Sequence, residues 1–335
     1  MKKSLIALAV LAASGAAVAQ SSVTIYGRVD ASFGTEKTNG LSQTKLFDGG
    51  DAGLTSSRWG LRGTEDLGGG LTAEFKLENR FKIDAGTIDG VQFKGDSFVG
   101  LGGSFGKVKL GRSTVAYDDV RSISLSSNVF DSAFTPVGKV YGSSGDYASR
   151  GDNQIRYESP NLSGFSAIVS YGFGENKGAT DAADLTSLGV FYKSGPLSVG
   201  VGFSEEEAKA NANAAVTSNK FTGLSASYNF GVASVSGGYN TRKASAGDKD
   251  NEYTIGVNVP VDAFSFSVGY ANSETKDVGG AKTVKASGFG LGVTYAMSKR
   301  TKLYAGFRDY GIKNAVTGTK TTDSRLYAMG VRHDF

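Results

Sequence analysis

The sequence predicts an all-β fold, a sixteen-stranded antiparallel transmembrane β-barrel, and three observations carry that prediction. Apolar residues recur at every second position, the first nineteen residues have the form of an export signal, and short turns alternate with long polar loops.

The alternation is explicit in Val23, Ile25, Val29 and Phe33, in Leu71, Ala73, Phe75 and Leu77, and in Phe264, Phe266, Val268 and Tyr270. It returns in Phe289, Leu291, Val293 and Tyr295. Between these stand Thr24, Arg28 and Asp30, then Glu74, Lys76 and Glu78, then Ser265 and Ser267, then Gly290, Gly292 and Thr294. Successive side chains of a strand point to opposite faces, so each segment has one oily and one wet face. No period of 3.6 interrupts the mature chain, and no helix is expected there.

Lys2 and Lys3 precede an apolar run from Leu5 to Leu11, followed by small residues ending Ala17-Val18-Ala19. This is a signal peptide over 1–19 with an A-x-A cleavage site, leaving a single barrel domain over 20–335. The apolar run is too short to span a membrane, and no later segment reaches the roughly 18 consecutive apolar residues a spanning helix needs. There is no cysteine, so no disulfide staples the exported chain. Composition is rich in Gly (48), Phe (20) and Tyr (15) against 4 Pro. In a bilayer such a chain satisfies its backbone only by pairing strands in a closed barrel. The oily face then meets lipid and the wet face lines water.

The elements follow from the punctuation. Short turns fall at 65–70, 102–106, 160–164, 194–196, 229–231, 260–263 and 297–300, with the Gly, Pro, Asn and Asp that tight turns use. Long polar loops fall at 34–56, 82–96, 113–149, 174–184, 205–218, 243–251, 272–285 and 313–323. Seven short and eight long connections separate sixteen strands, an even number with tight turns at one end. A barrel of about 16–18 strands encloses an aqueous channel. Tyr157, Phe165, Tyr192, Tyr228, Phe264 and Tyr295 stand on the oily face close to short turns, where amphipathic rings form an interfacial girdle.

Charge narrows the function. The 36 basic and 32 acidic residues nearly balance, which does not suggest a nucleic-acid partner. In register with the apolar positions, Arg28, Arg58, Arg62, Lys76, Arg80, Lys107, Lys109, Arg156, Arg308 and Arg332 point inward, as do Asp30, Glu74, Glu78 and Glu158. Each alone reads equally well as a charge that sets selectivity or as a wall residue that is merely solvated or ion-paired, as Glu74 with Lys76, but the inward bases outnumber the inward acids. A barrel hydrolase would need a base, and the one histidine, His333, falls on the lipid face in register with Val331 and Phe335. No cofactor or catalytic metal is expected, since there is neither a second histidine nor a cysteine. Asp248, Asp250 and Glu252 have a spacing open to calcium, although such spacing is more often simply solvated. An energised receptor would need a larger barrel with a plug, and a solenoid a fixed repeat.

Particular motifs then add a resemblance. Gln20-Ser21-Ser22-Val23-Thr24-Ile25-Tyr26-Gly27-Arg28-Val29-Asp30 and Ser57-Arg58-Trp59-Gly60-Leu61-Arg62-Gly63-Thr64-Glu65-Asp66-Leu67-Gly68-Gly69-Gly70-Leu71 resemble the opening strands of general porins of Gram-negative outer membranes, of neisserial and betaproteobacterial type. Phe98 to Leu101 with Phe105 to Arg112, Asn153 to Pro160, and the ending Gly330-Val331-Arg332-His333-Asp334-Phe335 are similar to further parts of that family. The resemblance implies a homotrimeric, water-filled diffusion channel for small hydrophilic solutes and ions. It implies contact with outer-membrane lipid and lipopolysaccharide, and assembly through machinery that reads the terminal Phe335. It also implies that the third external loop, here 113–149, folds inward and narrows the pore. The candidate constriction is then Arg58, Arg62, Lys76, Arg80, Arg112, Arg150 and Arg156 on the wall, facing Asp118, Asp119 and Asp131 on the loop. Those acids have an alternative use in capping turns or pairing within the loop. A further basic position of the family falls near Gly95, which carries no charge, so the expected anion preference is weak.

Overall fold

The computed structural model describes residues 22–141, 146–175, 183–208 and 216–335, and the expected leader over 1–19 lies outside the described residues. The strands are β1 Ser22–Thr38, β2 Leu41–Asp48, β3 Ser57–Gly68, β4 Leu71–Lys82, β5 Thr87–Ile88, β6 Ser97–Gly103, β7 Gly106–Thr114, β8 Arg150–Glu158 and β9 Phe165–Gly172. They continue as β10 Leu185–Ser194, β11 Leu197–Ala208, β12 Thr217–Asn229, β13 Ser234–Ala244, β14 Lys249–Val261, β15 Phe264–Lys276, β16 Lys282–Ala296, β17 Thr301–Asn314 and β18 Lys320–Asp334.

All pairings are antiparallel, and the sheet closes where β1 meets β18, from Arg28 opposite Asp334 to Thr38 opposite Ser324. Phe335 completes the seam, its backbone N–H and C=O bonding Gly27 at 3.0 and 3.1 Å. Along its other edge β1 pairs first with β3 and then with β2. Those two segments are therefore one wall strand, interrupted over 49–56. In the same way β5 and β6 share the edge of β4, with 89–96 between them. Eighteen segments thus occupy sixteen wall positions, the number expected.

The first external connection is shorter than the expected loop. β1 and β2 form a hairpin whose turn, Asn39-Gly40, has φ of 51° and 86° at its two central residues. Asn-Gly is the dipeptide that tolerates two positive φ angles and matches the twist of a two-residue hairpin. Several other strands run beyond the span expected of them, so the loop at 243–251 shrinks to the few residues between Ala244 and Lys249.

Side chains alternate as expected. Val23, Ile25, Val99, Leu101, Ile255 and Leu291 are exposed on the outer face, as lipid-facing residues are. Phe165 and Tyr192 sit opposite one another with ring centroids 4.6 Å apart, and Phe264 and Tyr295 likewise at 4.7 Å. The packed core is inside the ring and belongs to the loops. Phe47, Ala52, Leu54, Val129, Phe134, Tyr304, Leu326 and Ala328 form one buried cluster, and Val137, Val140, Tyr141, Ala271 and Ala286 a second.

The expectation of no helix is corrected. Among the described residues three short α-helices occur, α1 Gly49–Ala52, α2 Ala116–Leu125 and α3 Val137–Val140, with a single tight turn over Val129–Asp131, all in connections. The buried residues of α2 are Ala116, Tyr117, Val120, Arg121 and Ser124, a helical face. Two of the five are polar, which hid the period in a reading based on apolar residues.

Tyr192 and Tyr295 should lie at the lipid–water interface. Tyr295→Asp or Tyr192→Asp should lower the folded fraction recovered in lipid vesicles, since a charge on the lipid face costs up to about 1 kcal/mol near the interface and more when deeper. Thr294→Asp, one residue away on the inward face, should fold with the wild-type yield; equal losses would refute this register.

Candidate pore constriction

The loop between β7 and β8 lies against the inner wall, and the wall is built to receive it. Gly189, Gly202 and Gly223 stand directly opposite one another across β10, β11 and β12, and Gly256, Gly269 and Gly290 do so across β14, β15 and β16. A Cβ at Gly269 would overlap the Asn128 side chain, and one at Gly290 the Phe134 carbonyl. Serines stand beside these glycines. Ser170 and Ser187 hydroxyls accept from the Ala116 and Tyr117 N–H groups at 3.1 and 2.9 Å, filling the free donors of the first turn of α2. At the other end the Ser236 hydroxyl donates to the Ser124 carbonyl (2.8 Å) and the Ser267 hydroxyl to that of Ser127 (3.0 Å).

The tip of the loop is in an unusual conformation. Val129, Phe130 and Asp131 have φ of 53°, 64° and 48°, the left-handed region that costs a residue with a Cβ about 1–2 kcal/mol. Burial of Val129 and the bond from its N–H to Ser267 Oγ (3.0 Å) hold the turn. The Ala133 N–H bonds the Gly53 carbonyl at 3.0 Å, tying the tip to the interruption between β2 and β3.

That interruption aims Arg58. Buried Asp30 accepts from the Leu54 and Thr55 N–H groups (3.2 and 3.0 Å) and from the Tyr304 hydroxyl. The turn so fixed presents Thr55 Oγ1 to Arg58 Nη2 at 2.6 Å and the Ser56 carbonyl to its Nε at 3.2 Å. Pairing then sets a row. Arg28 is directly opposite Arg58, and Arg58 directly opposite Arg80. Two rows lower, beyond Tyr26, Gly60 and Glu78, Arg62 is opposite Lys76. Like charges opposite one another destabilise a sheet, so stability does not explain the row.

Two acids hold the cluster together. Glu78, 3% exposed, bonds Arg58 at 3.4 Å, Arg80 at 3.5 Å and the Tyr26 hydroxyl at 3.1 Å. Asp96 joins Lys76 (2.6 Å) to Arg150 (3.1 Å), and both Arg58 and Arg80 feel the charge of Arg150. Arg62 lies over the Tyr26 ring, 5.0 Å from its centroid. Arg58, Arg62, Lys76, Arg80 and Arg150 are thus brought together, five cations around two carboxylates. At Gly95, where no charge stands, a Cβ would meet the Glu78 side chain, so this position makes room for the central acid.

The other expected residues lie elsewhere. Arg156, nearly buried, bonds Asp119 and Glu158, both at 2.8 Å, and fastens α2 to the wall. Arg112, beside an irregularity in β7, pairs with exposed Asp152 at 2.5 Å. Asp118 accepts from the Tyr147 hydroxyl at 2.7 Å. Asp131 is exposed at the tip and has no ion pair among the described residues. Glu78 was legible as inward-facing, but its central place was not. Asp96 was missed, because nothing in 82–96 marks where the interruption returns to the wall. Asp248, Asp250 and Glu252 hold no metal cluster among the described residues, and Asp250 instead bonds Arg242 at 2.6 Å.

The comparisons agree with this architecture. A family model described as Gram-negative porin matches residues 5–315. The chain belongs to that family. Outer membrane porin protein 32 of Delftia acidovorans is 38% identical over the full length of both chains. The major outer membrane protein P.IB of Neisseria meningitidis is 34% identical over 60% of this chain and 58% of its own. An anion-selective porin from Comamonas acidovorans superposes with a TM-score of 0.79 at 32% identity, covering 94% of this chain and all of that one. The protein is an outer-membrane diffusion channel, and it is not an enzyme.

Burial, and secondarily the neighbouring Asp119, push the Asp118 carboxyl up to about 6, against the bond from Tyr147. Asp118 therefore loses its charge as pH falls through about 6. The same upward shift favours the docked loop at acid pH and loses that contribution as pH rises through this value. Reversal potentials in a salt gradient should move toward the anion side between pH 7 and 5, and Asp118→Asn should reduce that movement. An unchanged pH profile in the variant would count against the assignment.

Proposed function

We propose that this porin passes small hydrophilic solutes and ions with a weak preference for anions, set by Arg58, Arg80 and Arg150 against Asp131. The observation that carries this reading is the row of arginines placed directly opposite one another on β1, β3 and β4. Arginine keeps its proton near neutral pH, so the row is a fixed positive charge. Within the row Arg28 pairs with Asp334 and Glu78 serves Arg58 and Arg80, and Asp96 serves the neighbouring Lys76 and Arg150, which leaves an excess of cations at the wall. The related channel from Comamonas acidovorans bears the description anion-selective. Salt screens such a field over about 10 Å at 0.1 M, so the preference should fade at high ionic strength.

The proposal extends to assembly. Residues 1–19 are removed on export, 20–335 form the barrel, and the protein works as a homotrimer among outer-membrane lipid and lipopolysaccharide. Family membership supports the trimer, and the alternation Tyr327, Met329, Val331, His333, Phe335 supports recognition of the C-terminus by barrel-assembly machinery.

Replacing Arg58 and Arg150 together by Ser should move the reversal potential toward cations. A wild-type value already on the cation side would refute the arginine-dominated reading while leaving the channel itself intact. Deleting Phe335 should lower the amount of folded trimer in the outer membrane without altering the conductance of the trimers that form. Because the Phe335 backbone also closes the seam with Gly27, Phe335→Ala is the sharper variant: it keeps those bonds and removes only the ring. Wild-type surface levels in both would sink the assembly reading.

A further inference from the structure

Above the constriction the β1–β2 hairpin and the inward loop enclose a cavity of about 300 Å³. Its lining includes Lys45, Lys139 and Arg308 among cations, and Glu36 and Asp51 among acids. Both acids are already engaged. Glu36 bonds Arg308 Nη2 at 3.1 Å, and Asp51 bonds Lys82 at 2.8 Å. Among the described residues neither Lys45 nor Lys139 has a carboxylate partner, although both are exposed to the cavity side of the lumen. Arg308, 2% exposed, also gives Nη1 to the Ala133 carbonyl, and its buried Nε has no acceptor. Gln43 and Thr135 add an amide and a hydroxyl to the lining.

We propose that this cavity is a binding site for a small phosphate-bearing solute, held by Lys45 and Lys139 before it enters the constriction. Two ammonium groups with no carboxylate in ion-pair contact match a dianion. The planar fork that Arg308 would offer a carboxylate is already spent on Ala133 and Glu36, whereas lysines bind phosphate as point charges. Burial, with repulsion from Arg308 and against the attraction of Glu36 and Asp51, holds the Lys139 ammonium below the ordinary lysine range, and a bound anion offsets the repulsion. The site is separate from the Arg58 cluster, since none of its cations bonds Glu78 or Asp96.

The inference rests on the channel reading, and the test separates the two. Single-channel current in dilute KCl is recorded while glucose 6-phosphate, inorganic phosphate or glucose is added to the external side. Both phosphates should reduce the wild-type current saturably and glucose should not. Lys45→Gln combined with Lys139→Gln should weaken the apparent affinity for both phosphates at least tenfold, with KCl conductance close to wild type. Lys45→Arg with Lys139→Arg should restore most of it. Equal block of wild type and double Gln variant, or equal block by glucose, overturns the site. Absence of KCl conductance in the wild type overturns the channel reading instead.

Discussion

The structure depends on the hydrogen bonds by which inner-wall serines take up the ends of α2. A segment lying inside a barrel must satisfy its backbone without a partner strand, or be left to water that would compete for its position. Ser170 and Ser187 fill the donors at one end, and Ser236 and Ser267 the acceptors at the other. Glycine beside serine lets the helix approach closely enough for a hydroxyl to reach. Each bond contributes only about 1 kcal/mol, but four spread across β9, β10, β13 and β15 fix the helix in position and rotation.

This docking divides the wall. Over much of the span that receives the loop, the inward positions are glycine or serine, and the long side chain of Arg308, directly opposite Gly290, is spent on the Ala133 carbonyl of the loop and on Glu36. The cationic cluster is left to β1, β3, β4 and β8, where the inner face is open. Of the loop acids, Asp119 is spent on Arg156 and Asp118 accepts from the Tyr147 hydroxyl, while Asp131 at the tip has no ion pair among the described residues. Arg156 marks the boundary: it stands on the charged half, yet its charge is consumed by Asp119 and Glu158 in holding the loop down.

Much of this was legible in the sequence, and the limits have physical causes. Strand number and facing follow from a period of two and from turn chemistry, both local. The rows of glycine and serine at alternate positions were visible too, but read as spacers between lipid-facing residues they gave no sign of a docking surface. Gly189 and Gly202 become one feature only when pairing sets them side by side. Register likewise turns Arg28, Arg58 and Arg80, scattered over more than fifty positions, into a single row. The interruptions at 49–56 and 89–96 were hidden because each reads as ordinary loop, and Asn39-Gly40 shows that the first of them starts later than its polarity suggests.

The position of Asp131 illustrates how far the wall governs the loop. Three consecutive residues with side chains in the left-handed region do not form a stable turn alone. Here the turn is fixed from outside: Ser267 holds the Val129 N–H, Val129 and Phe134 pack with Leu54, Tyr304 and Leu326, and Gly53 takes the Ala133 N–H. Gly53 lies in the same turn whose next residues, Leu54 and Thr55, are pinned by Asp30 and present Thr55 to Arg58. The acid at the loop tip and the arginine on the wall are therefore referred to one short segment, 53–58. A change in the packing of Leu54 would therefore displace the loop tip and Arg58 together rather than either alone.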